Sequence, residues 1–202
     1  MSKIRHVITL ESVINGKLAR ELEYTLYGKL KDLDQLKQAF AVEEHEQWTI
    51  PVDTNLPFKQ RLRLIDNRRY TMATKMRRAG VAGCEEVEDD IAPDMWRHLR
   101  EVAVDGYRKT RYRFKAGSTG LIWEIDVFVD RMGQPHPWVK IDLEVPDVDT
   151  AVPELPVDIE TLIVDNGPKQ TMAEKRFIRQ LWDSEWTRLD PATTQDLYTK
   201  ED

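Results

Sequence analysis

The stretch RLRLIDNRRYTMATKMR, residues 61–77, decides how the chain folds. Arg61 and Arg63 alternate with Leu62 and Leu64, and alternate residues of a strand share one face. Asp66-Asn67 reads as a turn. Thr71, Ala73, Lys75 and Arg77 then share a face of the returning run. One side of this hairpin is greasy and packs on a core. The other is cationic, in a chain whose net charge is −6, and it needs a partner.

The same alternation recurs along the chain. Glu21, Glu23 and Thr25 oppose Leu22, Tyr24 and Leu26; Glu86 and Glu88 flank Val87. Lys109, Arg111 and Arg113 alternate with Tyr112 and Phe114; Glu124 and Asp126 with Ile125 and Val127; Lys140, Asp142 and Glu144 with Ile141, Leu143 and Val145. A half-buried antiparallel sheet with its polar side in water accounts for any one of these strands. It predicts a mixed polar face, whereas here cations gather on 61–77 and 109–113 and acids on 21–23, 86–88 and 124–126. The pattern predicts an α+β fold: a closed or nearly closed antiparallel β-barrel with a charged lumen, apolar faces outward and flanking helices over them. Dense Arg and Lys facing dense carboxylates suit a phosphate-bearing ligand, with Mg²⁺ or Mn²⁺ bridging carboxylates to phosphate oxygens.

The 202 residues predict a single domain, 1–202, with 1–18 as an N-terminal extension and about 188–202 as a polar tail. No apolar run nears the ~20 residues needed to span a bilayer. The opening MSKIRHVITLESV does not read as a signal peptide, and Cys84 is the only cysteine; both fit a cytoplasmic, reducing setting. The acidic balance argues against an extended nucleic-acid surface, and no Walker or dinucleotide glycine loop is present.

Local signals predict a short helix at DLDQLKQAF, capped by Asp32, with Leu33, Leu36 and Phe40 on one side. Extended runs are expected at 47–66 and 69–78. A helix behind Pro93 should carry the apolar stripe Met95, Leu99 and Val102. Residues 146–158 read as a connector, DIETLIVDN as a helix or a strand, and AEKRFIRQLWDSEW as a helix. Cys84, His6, His45, His98 and His136 show no catalytic or metal spacing. Trp96 and Trp182 read as packing residues, and Trp48 and Trp123 as weak candidates for contact with a base.

The ordered set of motifs resembles the CYTH superfamily, the triphosphate tunnel metalloenzymes, which includes class IV adenylyl cyclases, thiamine triphosphatases and inorganic triphosphatases. The family's opening Glu-x-Glu-x-Lys corresponds to Glu21-Leu22-Glu23-Tyr24-Thr25 and its Arg-x-Arg strand to Arg61-Leu62-Arg63. Its Thr-x-Lys element corresponds to Ala73-Thr74-Lys75 only at the lysine, its second Glu-x-Glu to Glu86-Val87-Glu88, and its Lys-x-Arg to Lys109-Thr110-Arg111. Its aspartate corresponds to Asp126, and its closing acidic pair to Asp142-Leu143-Glu144. The match spans roughly residues 19–146. Thr25 stands where the family has lysine, and Asp142 where it has glutamate.

The resemblance implies an eight-stranded tunnel that takes a triphosphate-containing small molecule with Mg²⁺ or Mn²⁺. Arg61, Arg63, Lys75, Lys109, Arg111 and Arg113 would grip phosphate oxygens. Glu21, Glu23, Asp126, Asp142 and Glu144 would hold metal. Glu21, Glu23, Lys75 and Glu144 would be catalytic. Glu86, Glu88, Glu124 and Lys140 would orient these groups, and Glu86 and Glu88 could join the metal set. Metal-dependent hydrolysis of inorganic triphosphate or a triphosphorylated organic molecule is the leading expectation. Cyclisation of ATP to cyclic AMP and binding without turnover are the alternatives, and Thr25 in place of lysine favours binding.

Overall fold

The computed structural model describes residues 19–53, 55, 58–76, 84–130, 132–147, 149–165, 169–186 and 188–189, with the side chains of 19–21, 184 and 188 left aside. Expectations for 1–18, Arg77 and the tail beyond 189 lie outside the described residues. Ten strands form one antiparallel sheet: β1 (Ala19–Leu30), β2 (Ala41–Ile50), β3 (Phe58–Ile65), β4 (Arg69–Met76), β5 (Cys84–Asp90), β6 (Asp105–Lys115), β7 (Ile122–Val129), β8 (Pro135–Val145), β9 (Ile159–Val164) and β10 (Arg188–Leu189). The hydrogen-bonded order is β10-β6-β2-β3-β4-β5-β1-β8-β7, with β9 on β1. Strand β6 also pairs with β7, from Lys109 opposite Phe128 to Lys115 opposite Ile122.

The hairpin of the opening stretch forms as read. Arg61 lies opposite Ala73 and Arg63 opposite Thr71. Asp66 and Asn67 turn the chain at φ 50 and 53 within the three-residue connection between the paired Ile65 and Arg69, in a left-handed conformation that Asp and Asn tolerate. The run expected at 47–66 is instead two strands. Residues 51–53 lie between them outside any strand, beginning at Pro51, which cannot donate to a ladder. DIETLIVDN is a strand, β9, paired with β1.

Two helices cover parts of the sheet: α1 (Pro93–Glu101) and α2 (Met172–Gln180), the latter running on into a π-helical turn, Leu181–Glu185. No helix among the described residues is long and apolar enough to cross a membrane. Leu62, Leu64 and Trp48 pack with Trp96 and Ala103 at α1. The stripe on α1 is the expected one only at Leu99, which packs against this core. Met95 is 51% and Val102 56% exposed, while Trp96 and Arg100 are buried, because the Arg100 guanidinium lies over the Trp48 and Trp96 rings, 5.2 and 5.8 Å from their centroids. Gly106 is needed where Trp48 crosses β6, since a Cβ there would lie 2.6 Å from the indole.

A second core joins Trp123, Ile125, Ile141 and Leu143 to Leu36 and to Val157 of the connector. The helix at DLDQLKQAF is a 3₁₀ turn, Leu33–Gln38, capped by Asp32 as expected. Only Leu36 of its three apolar residues is buried, with Leu33 and Phe40 facing solvent. A third core is aromatic. Tyr27, Tyr107 and Phe128 of the sheet meet Ile178, Leu181 and Trp186 of α2 and its π turn. A capping box of Thr171 and Glu174 starts α2, and Phe128 stacks on Trp186 at 4.0 Å.

Candidate functional site

The strands turn their charged positions onto one cavity of about 1360 Å³. Strand alternation explains the sorting: Leu62 and Leu64 go to the core under α1, while Arg61 and Arg63 line the cavity. Every charged residue predicted for the site whose side chain is described lines it. From the first half of the chain these are Glu23, Arg61, Arg63, Lys75, Glu86 and Glu88. From the second half they are Lys109, Arg111, Arg113, Glu124, Asp126, Lys140, Asp142 and Glu144. Glu21 is opposite Cys84 through its backbone, and its side chain lies outside the described residues.

Cross-strand register pairs most of these charges. Lys75, opposite Glu86, bonds it at 2.6 Å. Arg63 bonds Glu88 and lies 3.9 Å from Glu86. Arg111, opposite Asp126, donates to it from Nε and Nη2 at 2.7 and 2.8 Å and bonds Glu124 as well. Arg113 bridges Glu124 at 2.9 Å and Glu43 at 2.6 Å. Lys109 bonds Asp126, and Lys140 bonds Asp142. Thr25 donates its hydroxyl to Asp142 at 2.8 Å and fixes that carboxylate.

Three charged residues of the sequence-predicted set stand apart. Arg61 makes no ion pair or hydrogen bond with any described residue; it faces Thr49 on one side and Ala73 on the other, neither of them acidic. Glu23 and Glu144, directly opposite each other, also lack an ion pair among the described residues. Burial, then the neighbouring Arg63, lowers the Arg61 pKa. Partial burial, then Glu124 and Glu23, raises that of Glu144. In both, burial and a like-charged neighbour outweigh the opposite charges, Glu86 and Glu23 for Arg61 and Lys75 for Glu144.

The buried interior is tuned the same way. Burial, then Arg111, brings Lys109 down to about 7. Burial pushes the Asp126 carboxyl up, but Lys109 and Arg111 outweigh it and hold it well below the usual range. Burial also works against the Lys140 charge, and Asp142 and Glu23 raise its pKa nonetheless.

His45 is the core histidine that its lack of metal spacing suggested. It is 4% exposed, its Nε2 lies 3.0 Å from Glu43, and its Nδ1 has no partner. Burial, then Lys109 opposite it, lowers its pKa to about 4. The unfolded chain therefore takes up this proton near 6.5 and the folded chain only near 4. Stability should be full above about pH 6.5 and fall by up to about 3 kcal/mol as pH drops to 4. Urea unfolding of the wild type and His45→Gln at pH 7 and 4.5 checks this; equal pH dependence in both would refute it.

The expected metal ligands divide. Asp126 and Asp142 are engaged by Lys109, Arg111 and Lys140. No group of three or more His, Cys, Asp or Glu among the described residues is placed to hold an ion. Of that set, Glu23 and Glu144 face each other across β1 and β8 with no ion pair among the described residues. Magnesium is typically bound by one or two carboxylates plus substrate phosphates rather than by an all-protein cage.

Sequence reading missed the aromatic side of the cavity, which Tyr27, Tyr107, Phe128 and Trp182 line. A tryptophan at a helical position reads equally well as core, and only the return of α2 to the sheet reveals Trp182. The two tryptophans considered for a base are elsewhere. Trp48 and Trp123 are fully buried outside the cavity, their Nε1 donating to Glu46 and to the Glu154 carbonyl. Cys84 lines the cavity and forms no disulfide.

No protein-family model and no curated protein matches the chain. Among solved structures it is similar to a crystal structure of the hypothetical protein NE1496, with 18% identity and a TM-score of 0.45 over 74% of this chain and 93% of that one. It is similar also to a crystal structure of the inorganic triphosphatase NE1496, with 19% identity and a TM-score of 0.45 over 72% and 90%.

Proposed function

We propose that the chain is a divergent triphosphate tunnel protein: the eight strands β1–β8 enclose a charged tunnel that binds a triphosphate and hydrolyses it with Mg²⁺ or Mn²⁺. The observation that carries this reading is Arg61, a partly buried guanidinium on the cavity wall with no carboxylate partner among the described residues. A buried charge with no bonded counter-ion is costly, and a phosphate repays it with bidentate, charge-assisted bonds.

Arg61 takes the first phosphate oxygen. Lys75 and Arg111 extend the grip once phosphate competes with Glu86 and Glu124. Carboxylates outnumber cations along the wall, so a polyanion with about four negative charges needs a cation brought with it. A divalent ion held by Glu23, Glu144 and phosphate oxygens would supply that charge and polarise the phosphoryl group. Glu144 of that pair would take the proton of an attacking water. Lys109, Arg113, Asp126, Asp142 and Lys140 hold the surrounding ion pairs in place.

Binding without turnover is the second reading, favoured by Thr25 bonded to Asp142. Tripolyphosphate with Mg²⁺ at a hundred times its Kd should stabilise the fold by about 2.7 kcal/mol, raising Tm by about 5–10 °C. No shift at saturating concentration sinks the tunnel reading. Product analysis after separate incubations with tripolyphosphate and with ATP then separates orthophosphate, for hydrolysis, from cyclic nucleotide plus pyrophosphate, which only ATP can give, for cyclisation, and from unchanged ligand, for a binder.

A further inference from the structure

Resting on that reading, we propose that the aromatic end of the cavity receives a planar organic group, so that the chain selects an aromatic organic triphosphate over inorganic triphosphate. The cavity of about 1360 Å³ exceeds the ~300–1,000 Å³ of pockets that bury drug-sized ligands, far more than an inorganic triphosphate fills. Its wall is uneven. Most ion pairs gather on β5 to β8, while Ile50, Pro51, Val52, Phe58 and Val104 line an apolar stretch.

Trp182 belongs to the same wall. It is only partly buried, unlike Tyr27, Tyr107 and Phe128 around it. Its ring is held in place: Nε1 donates to the Tyr27 hydroxyl at 2.9 Å, and Tyr107 and Phe128 meet it edge-on at 5.2 and 5.3 Å. An aromatic ring fixed by its neighbours loses little entropy on stacking with a ligand.

Register ties this end to the unpaired cation. Arg61 faces Thr49, which faces Asp105 at the start of β6, two residues before Tyr107. Tyr107 lies near enough to bear on the Arg61 charge. A phosphate on Arg61 would set the group esterified to it on the side of Tyr107, whose ring meets Trp182 at 5.2 Å. Stacking of that kind is tolerant of ring identity, so ATP serves as the probe.

The experiment titrates ATP and tripolyphosphate, each with Mg²⁺, onto the full chain and its Trp182→Leu and Trp182→Phe variants. ATP should bind the wild type about ten- to a hundredfold more tightly than tripolyphosphate. That ratio should collapse in Trp182→Leu and persist in Trp182→Phe. The Trp182 indole N–H resonance, assigned with Trp182→Phe, gives a readout in the intact wild type: it should move with ATP and stay with tripolyphosphate. Equal affinities with an unmoved indole overturn the aromatic subsite while leaving triphosphate binding standing. Failure of both anions to bind overturns the parent reading as well.

Discussion

Replacing Asp126 by alanine is expected to destabilise the fold by about 3–5 kcal/mol, lowering Tm by about 6–20 °C. Asp126 is 1% exposed and accepts from Arg111 and Lys109 together. Its removal leaves two buried cations, of which Arg111 keeps Glu124 and Lys109 keeps no carboxylate from the pair it made. The sign of the pH effect follows from Lys109. Its folded pKa, about 7, already lies below the ordinary lysine value, so the unfolded chain binds more protons between the two. Without Asp126 that folded pKa falls further, and Lys109 escapes its unpaired charge by losing the proton. The deficit of Asp126→Ala should therefore be larger at pH 6 than at pH 9. Denaturant unfolding at both pH values measures it, and Lys109→Met in the same background should recover part of the loss. A deficit under 1 kcal/mol, or one independent of pH, would mean that the Lys109–Asp126–Arg111 cluster carries little of the stability.

The second large effect separates the two kinds of unpaired charge. Arg61→Ala should weaken tripolyphosphate binding about ten- to a hundredfold, with Mg²⁺ or with chelator, since charge-assisted hydrogen bonds are worth roughly 1.5–3 kcal/mol each. Arg63→Ala should cost less, because Arg63 must release Glu88 before it can hold phosphate. Glu144→Ala should behave oppositely. Under chelator it removes a repelling carboxylate, leaving affinity equal or tighter; with Mg²⁺ it removes half of the Glu23–Glu144 pair and weakens both binding and turnover. Calorimetric titration of each variant in the two conditions gives the comparison. If Arg61→Ala and Glu144→Ala lose the same affinity in both, the division between anion-holding and cation-holding groups is wrong.

Most of the strands, their two faces and the charged part of the cavity wall are legible in the sequence alone. Alternation with period two is a local property, so Leu62 against Arg63, or Ile125 against Asp126, fixes which side chain goes to the core and which to the cavity. Local chemistry likewise specified the Asp66-Asn67 turn and the Asp32 cap, each visible within a few residues. Runs of similar polarity misled where the break was backbone rather than pattern, as at Pro51. They misled also where a long cation proved more core-like than its aliphatic neighbours, as with Arg100 between two indoles. Only the tertiary structure decided how the charges pair. Arg113 reaches Glu43, and Arg63 reaches Glu88, through register between strands, which no local pattern encodes. Arg61 is left over for the same reason, since its cross-strand neighbours are Thr49 and Ala73. The aromatic end came from tertiary structure too. Trp182 lies within an ordinary amphipathic helix signal, and it reaches the cavity because α2 packs its buried face on Tyr27, Tyr107 and Phe128, the apolar rings at that end of the sheet.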